Sequence, residues 1–338
     1  MEKSTKKTTI YDLAELAGTS PSAVSSVLNG TWKKRRISQK LADRIAKIAD
    51  EQGYAVNAQA SLLRKTRSHI IGMIVPKYDN RYFGEIAEQF EAKARAAGYF
   101  PVVTCTQRDP DLEFEAAKEL ISYQAECLIA TGATDPDRIS AFCDAAGVQS
   151  INLDLPGRGA TSVISDNFAG ARDLTNLILD HLSREFGAAT PLHFVGGRLT
   201  DHNTAERLRG FLAAHEGRAM TLPDSHILAT GYSADKAAAA LNGFEPDIPT
   251  GIFVNSTISL EGVMLWHRKL AKGAEHVRFG CFDWDPFGAY LPGNIAMVEQ
   301  DVGTMLEKAF NLIGKLQTSR DQILVPCKLR VLVPPLDR

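Results

Sequence analysis

The chain has 338 residues, 44% of them apolar, which is enough for more than one domain with a buried core. No apolar run reaches the ~18 residues that suggest a membrane span, and the first ten residues, MEKSTKKTTI, have no apolar signal core, so neither membrane insertion nor export is expected. The net charge of −2 hides an asymmetry: residues 1–66 hold 12 Lys and Arg against 6 Asp and Glu, leaving 26 against 34 of the chain's 38 and 40, and a basic head on an acidic body points to a nucleic-acid partner.

In chain order, residues 1–8 read as a loose basic tail. The stretch 9–29, TIYDLAELAGTSPSAVSSVLN, reads as two short helices joined by a tight turn. Ile10, Leu13, Ala14 and Ala17 recur at helical spacing and give the first helix one apolar face. Gly18 suits the left-handed conformation that ends such a helix. Ser20 is placed to cap a second helix, with Pro21 at its first position, where a missing N–H costs nothing. Ala23, Val24, Val27 and Leu28 form its apolar face, and Ser22, Ser25, Ser26 and Asn29 its small polar outward positions. Such a pair can lay its second helix in the major groove of DNA; by pattern alone it reads equally as a plain helical hairpin. The run Lys33, Lys34, Arg35, Arg36 follows directly and is well placed for backbone phosphates. Ser38 is a good cap for a third helix over 39–52, whose Leu41, Ala42, Ile45, Ile48 and Ala49 complete a three-helix core.

From His69 the texture changes. Short β-rich runs (HIIGMIVP, PVVTC, ECLIAT, QSINLD, TSVISD, then LHFVGG, HILAT, GIFVN, RFGCFD and IAMVEQ) alternate with helix-like segments at 83–97, 111–123, 137–146, 168–182, 205–215, 233–241 and 258–270. This alternation argues for parallel sheets covered on both faces. Ten strands divide naturally into two sheets in two lobes. The cysteines at 105, 127, 143, 281 and 327 are scattered and lack zinc-ligand spacing, so they read as reduced, small core residues of a cytosolic protein.

In open parallel sheets, ligands bind beyond the carboxyl ends of the strands. That rule selects Lys77 to Phe83, Leu155, Asp166 and Asn167, Arg198 to Arg207, Asn255 and Ser256, and Asp283 and Trp284. These ends supply aromatic faces, carboxylates, amides and a guanidinium, which suit a small polyol. Each has a structural alternative: Asp166 could cap the following helix, Asp283 could cap a turn, and Tyr82 and Phe83 could be core.

The motifs TIYDLAELAGTSPSAVSSVLNG, the IS that opens the third helix, and the GY and NAQASLLR that follow resemble the DNA-binding head of the lactose-repressor (LacI/GalR) family of bacterial transcription regulators, and the resemblance runs through the rest of the chain. It implies an α/β fold: an all-α helix-turn-helix head over 1–56, a hinge over 57–67, and a two-lobed body over 68–338 like a periplasmic sugar-binding protein. The lobes would comprise 68–165 with 300–325, and 166–299 with 326–338. DNA contacts are expected at Thr9, Ser20, Pro21, Ser22, Ser25, Ser26, Asn29, Lys33, Lys34, Arg35 and Arg36. Others are expected at the hinge residues Asn57, Ala60, Leu63 and Arg64, with Leu63 wedged between base steps in the minor groove. The effector set is expected at Tyr82, Phe83, Asp166, Asn203, Arg207, Asn255, Asp283 and Trp284. Two departures stand out. Leu155 replaces an arginine common in the family, and the base-reading positions hold only Pro21, Ser22 and Ser26, which specify little. The loop 30–37 is longer than in many relatives and resembles the fructose- and sucrose-responsive branch.

The function expected is a transcriptional repressor that binds a palindromic operator as a homodimer and is controlled by a sugar or sugar phosphate between the lobes. A fructose-like ligand is one candidate, with Lys77, Arg81, Arg198 and Arg207 as possible charges for a phosphate. A free pentose or hexose, a polyol or a nucleoside stays open. No GxSxG, GxxxxGK[ST] or HExxH motif occurs, so no enzyme activity, cofactor or metal is expected, although His193, His202 and Cys105 would be the residues to suspect. A sugar-binding protein without a DNA role is the alternative.

Overall fold

The structure is a computed structural model that describes residues 8–54, 67–187, 190–244, 246, 248–270, 272–315 and 320–333. The chain divides into two compact units, 1–68 and 69–338. The hinge positions Asn57, Ala60, Leu63 and Arg64 lie outside the described residues.

The first unit has three helices, α1 (Ile10–Leu16), α2 (Pro21–Leu28) and α3 (Gln39–Glu51). Each begins at a hydroxyl cap, Thr9, Ser20 and Ser38, whose side-chain oxygen accepts the N–H three residues on. Thr9 and Asp12 cap one another reciprocally, which satisfies two of the N–H groups a helix start leaves open. Leu13, Ala14, Ala17, Val24, Ile45 and Ala49 form the core. Ser26 is not outward: it is buried, and its hydroxyl donates to the Ser22 carbonyl at 2.8 Å. The chain folds back over it after the helix, with the Thr31 N–H on the Ser26 carbonyl. The loop then makes a tight turn in which the N–H groups of Arg35 and Ile37 bond the Trp32 carbonyl, leaving Lys33 to Arg36 exposed.

The second unit holds two six-stranded sheets. The N-lobe elements are β1 (Ile70–Val75), α4 (Arg81–Ala96), β2 (Phe100–Cys105), α5 (Pro110–Ser122), β3 (Cys127–Thr131), α6 (Pro136–Ala145), β4 (Gln149–Leu153) and β5 (Ser162–Ser165). The C-lobe elements are α7 (Asn167–Phe186), β6 (His193–Val195), α8 (His202–Glu216), β7 (Ile227–Leu228), α9 (Ala234–Ala240), β8 (Thr250–Val254), α10 (Thr257–His267), β9 (Val277–Phe282) and β10 (Asn294–Glu299). The chain then returns through α11 (Val302–Leu312) to β11 (Gln322–Val325) in the first sheet, and ends on β12 (Lys328–Val331) in the second. The strand orders are β11-β5-β4-β3-β1-β2 and β12-β10-β9-β8-β6-β7. Among the described strands, only β12 runs antiparallel to its neighbour.

The parallel strands are apolar on both faces because helices cover both. In β1, Ile71, Met73 and Val75 pack with Phe83, Phe90 and Met305 on one side, while Ile74 packs with Ala117 and Leu120 on the other. The second sheet does the same: Phe194 and Phe253 face α7 and α8, and Ile252 and Val254 face α9 and α10. The elements α11, β11 and β12 escaped the sequence reading. The helix has a clear apolar stripe at Val302, Met305, Leu306 and Ala309, while β11 and β12 are short, largely exposed sheet edges of four residues each. Among the described residues, no helix is long and apolar enough to cross a membrane.

Candidate functional site

The carboxyl ends of both sheets open into a cleft of about 280 Å³, just below the usual range for ligand sites. Its floor is a hydrogen-bonded chain of buried polar side chains. Arg207, on α8, has Nε on Asn167 Oδ1 at 2.8 Å and Nη1 on the Asn255 carbonyl at 2.6 Å. Asn167 donates to Asn203 Oδ1 at 3.1 Å, and Asn203 donates to Asp154 Oδ1 at 3.1 Å. The Tyr82 hydroxyl, from the same lobe as Asp154 and opposite Asn203, donates to the same Asp154 oxygen at 3.0 Å. At the other end, Arg207 lies 3.7 Å from Asp283, stacked on the Phe282 ring at 3.7 Å, and Gln300 donates to Asp283 at 2.6 Å. The chain therefore joins a carboxylate of one lobe to a carboxylate of the other.

The electrostatics follow from burial. Asp154 is 4% exposed, and loss of water raises its carboxyl to about 6, against the pull of the Arg108 and Arg207 guanidiniums and the Tyr82 bond. Burial also raises Asp283, with Arg207 and Gln300 holding against it. Gln300 Oε1 is buried with no partner among the described residues. A buried acceptor beside a cleft can be satisfied by a water or by a donor of a bound molecule.

A close backbone approach shapes the site. Gly196 and Gly197 follow β6 with φ of 94° and 75°, and a Cβ on Gly197 would sit 2.4 Å from Asn255 Nδ2 and 2.5 Å from Thr204 Oγ1. Only glycine fits there, which lets α8 start immediately beside the strand end and carries Asn203 and Arg207 to the floor. The pair thus serves close packing of the strand end against α8.

Tyr82, Phe83, Asn203, Arg207 and Asp283 line the cleft. Three expected effector residues do not. Asp166 caps α7, its carboxylate accepting the Ala169 N–H at 2.9 Å, and its neighbour Asn167 enters the network instead. Asn255 contributes its backbone carbonyl to Arg207, while its side chain is packed behind Thr204. Trp284 packs against the C-lobe core, with Arg330 5.8 Å from its ring. Arg81 is also outside the cleft and pairs with Asp285 of the other lobe at 3.0 Å. Among the lining residues, the sequence reading did not single out Asp154, Arg108, Tyr232 and Gln300, and it covered Asp201 only within the range Arg198 to Arg207. Asp154 ends the run QSINLD, so the strand-end rule had the signal but settled one residue late, on Leu155.

The comparisons agree with this architecture. Residues 71–308 match the periplasmic binding protein domain, and residues 9–57 match the bacterial regulatory proteins, lacI family. The ribitol operon repressor of Klebsiella aerogenes is 61% identical over 193 residues, which are 57% of this chain and 72% of the relative. The sucrose operon repressor of Klebsiella pneumoniae is 28% identical over 324 residues, 92% of this chain and 93% of the relative. The chain belongs to the lacI family of bacterial regulatory proteins. Its fold is also that of the lac repressor dimer bound to operator and the anti-inducer ONPF, with a TM-score of 0.75 at 22% identity, covering 96% of this chain and 98% of that one.

Membership of the lacI family makes the chain a DNA-binding transcriptional repressor and gives the first unit its role. Within that unit, Ser22 and Asn29 are exposed and Pro21 and Ser25 half-buried along α2, with the exposed cations of the following loop beside them. Thr9 and Ser20 are also exposed, although their hydroxyls are engaged as caps. Asn29 bonds back to the Ser25 carbonyl at 2.8 Å and closes the helix. Ser26 is removed from any reading surface by its burial. Among the described residues, no group of three or more His, Cys, Asp or Glu side chains could hold a metal ion.

Proposed function

We propose that the protein binds a palindromic operator as a homodimer and that a small polyhydroxy effector, held between the lobes, controls its release from DNA. The head would place α2 in the major groove, with Pro21, Ser22 and Ser25 toward the bases and Lys33, Lys34, Arg35 and Arg36 toward phosphates. The hinge residues Asn57, Ala60, Leu63 and Arg64 would enter the minor groove, Leu63 as the wedge.

The observation that carries the effector reading is the buried acceptor set of the cleft: Asp154, Asp283 and the unpartnered Gln300 Oε1, beside the donors Arg207 and Asn203. Adjacent hydroxyls satisfy such alternating donors and acceptors, and Phe83 offers a ring for C–H faces. The 61% identity to a ribitol operon repressor, against 28% to a sucrose operon repressor, favours a five-carbon polyol or sugar over a fructose-like one. The protein acts in the cytoplasm, where its operator is, and performs no catalysis.

The test is a thermal-shift series of the full chain against pentitols, pentoses and hexoses, followed by operator release with each hit. A ligand at a hundred times its dissociation constant stabilises by about 2.7 kcal/mol, which is readily seen as a melting shift. Silence for every polyol and sugar, with operator binding intact, would remove the effector assignment. In parallel, Leu63→Ala is expected to weaken operator binding far more than dimerisation; unchanged operator affinity would remove the wedge.

A further inference from the structure

We propose that the effector carries an anionic group at one end, and that Arg108 and Arg198, one from each lobe, hold that group at the mouth of the cleft. The proposal rests on the polyhydroxy reading above. Arg108 stands in the loop between β2 and α5, where Gln107 and Arg108 both adopt left-handed backbone, with φ of 55° and 60°. Two consecutive residues with side chains in that region are uncommon and cost free energy, and such strain gathers at ligand clamps. The turn carries the Arg108 guanidinium to 5.6 Å from the Phe83 ring and, across the cleft, to 5.5 Å from the Tyr232 ring. Arg198, in the loop after β6, reaches the same Tyr232 ring at 5.8 Å. Two guanidiniums from opposite lobes thus converge on one aromatic ring.

Among the other charges of the cleft, Asp154 bonds only the neutral Tyr82 and Asn203 and feels Arg108 and Arg207 through space. Arg207 faces Asp283, Asp201 accepts the Tyr232 hydroxyl at 2.5 Å, and Lys77 lies 3.9 Å from Asp79. Among the described residues, Arg108, Arg198 and the neighbouring Lys236 form no side-chain hydrogen bond or ion pair. Arg108 acts on Asp154 only at a distance. A neutral polyol would satisfy the floor and leave Arg198 and Lys236 without a counter-charge and Arg108 with only the distant Asp154, in a lining of five cations and three carboxylates. A phosphate monoester or a terminal carboxylate matches the planar guanidinium fork with two oxygens at once. Because the two arginines belong to different lobes, an anion between them bonds both and favours the arrangement in which they meet. That gives it the differential affinity a control ligand needs.

The experiment is calorimetric titration of the full-length protein with ribitol, ribitol 5-phosphate, ribonate and inorganic phosphate, repeated on the Arg108→Met, Arg198→Met double variant. At least one of the two anionic polyols is expected to bind ten times or more tighter than ribitol, and this preference ratio is expected to collapse below threefold in the double variant. A preference shown by the phosphate alone identifies a phosphorylated effector; one shown by ribonate alone identifies a sugar acid. If ribitol binds as tightly as both anionic compounds, or the preference survives the double substitution, the clamp is refuted and the polyhydroxy reading stands. If no polyol binds while operator affinity is normal, both readings fall.

Discussion

Asp154 and Asp283 occupy equivalent places in the two lobes. One ends β4 and the other ends β9, each the third strand in its sheet order. Both hold left-handed backbone, with φ of 72° and 76°. Each faces a donor from the helix that follows its lobe's first strand, Tyr82 on α4 for Asp154 and Arg207 on α8 for Asp283. The cleft is therefore built twice from one plan, with a neutral donor on one side and a cationic donor on the other.

Arg207→Ala is expected to abolish the effector response and to destabilise the body. Removing one partner of a buried pair leaves the other charge uncompensated, at a cost of about 3–5 kcal/mol. Adding Asp283→Asn is expected to restore much of the stability and none of the response. Thermal melts with and without effector, alongside operator titrations well below the melting point, separate the two effects. A full effector response in the single variant would exclude Arg207 from the site.

Asp154 gives two pH dependences of opposite sign. Its native carboxyl is raised from 3.8 to about 6 by burial, so between those values the folded protein binds the proton more tightly than the unfolded chain. Its own contribution to stability therefore falls as pH rises through that window and is constant above it. Effector affinity is expected to move the other way, declining as pH drops through about 6, because a carboxylate accepts more hydroxyls than a carboxylic acid. The groups around it are the Tyr82 hydroxyl, the Asn203 amide, Arg108, Arg207 and Asp201. Calorimetry from pH 5 to 8 reads the affinity, and Asp154→Asn is expected to flatten the profile.

Gly197→Ala is expected to cost about 1–3 kcal/mol from backbone strain, and to displace Thr204 and Asn255, which crowd the new Cβ. Effector binding is lost with them, while the reading helix of the head is untouched. A variant that melts and responds like the parent would show that the strand end tolerates a side chain.

In the head, Ser20→Ala is expected to lower stability by about 1 kcal/mol through loss of the cap bond to the Ala23 N–H. Ser22→Ala, at an exposed position, is expected to leave the melt unchanged and alter only operator affinity. Urea titrations of the head's transition distinguish the two.

Replacing Lys33, Lys34, Arg35 and Arg36 by Gln is expected to weaken binding to all DNA sequences alike. The slope of log affinity against log salt should shrink by about 0.9 for each phosphate that the loop neutralises. An unchanged slope would mark the loop as solvated surface.

The head was legible in the sequence because its determinants are local. Caps at Ser20 and Ser38, Pro21 at a helix start, and apolar residues at helical spacing act over a few residues and decide where each helix begins and which face it buries. The alternation of apolar runs and helices likewise determined the class of the body, since strands covered on both faces must be apolar throughout. What the sequence could not decide was where individual polar groups point. Asp166 and Asp283 both follow strands, yet one closes a helix start and the other faces the cleft, because the backbone after β9 turns left-handed while the chain after β5 passes directly into α7. Ser26 sits on a formally polar face and is buried because the next loop folds over it. The chain from Arg207 through Asn167 and Asn203 to Asp154, and the meeting of Arg108 with Tyr232, join residues 36 to 124 positions apart in sequence. Only the packing of two separate sheets brings them together, and no local pattern records it.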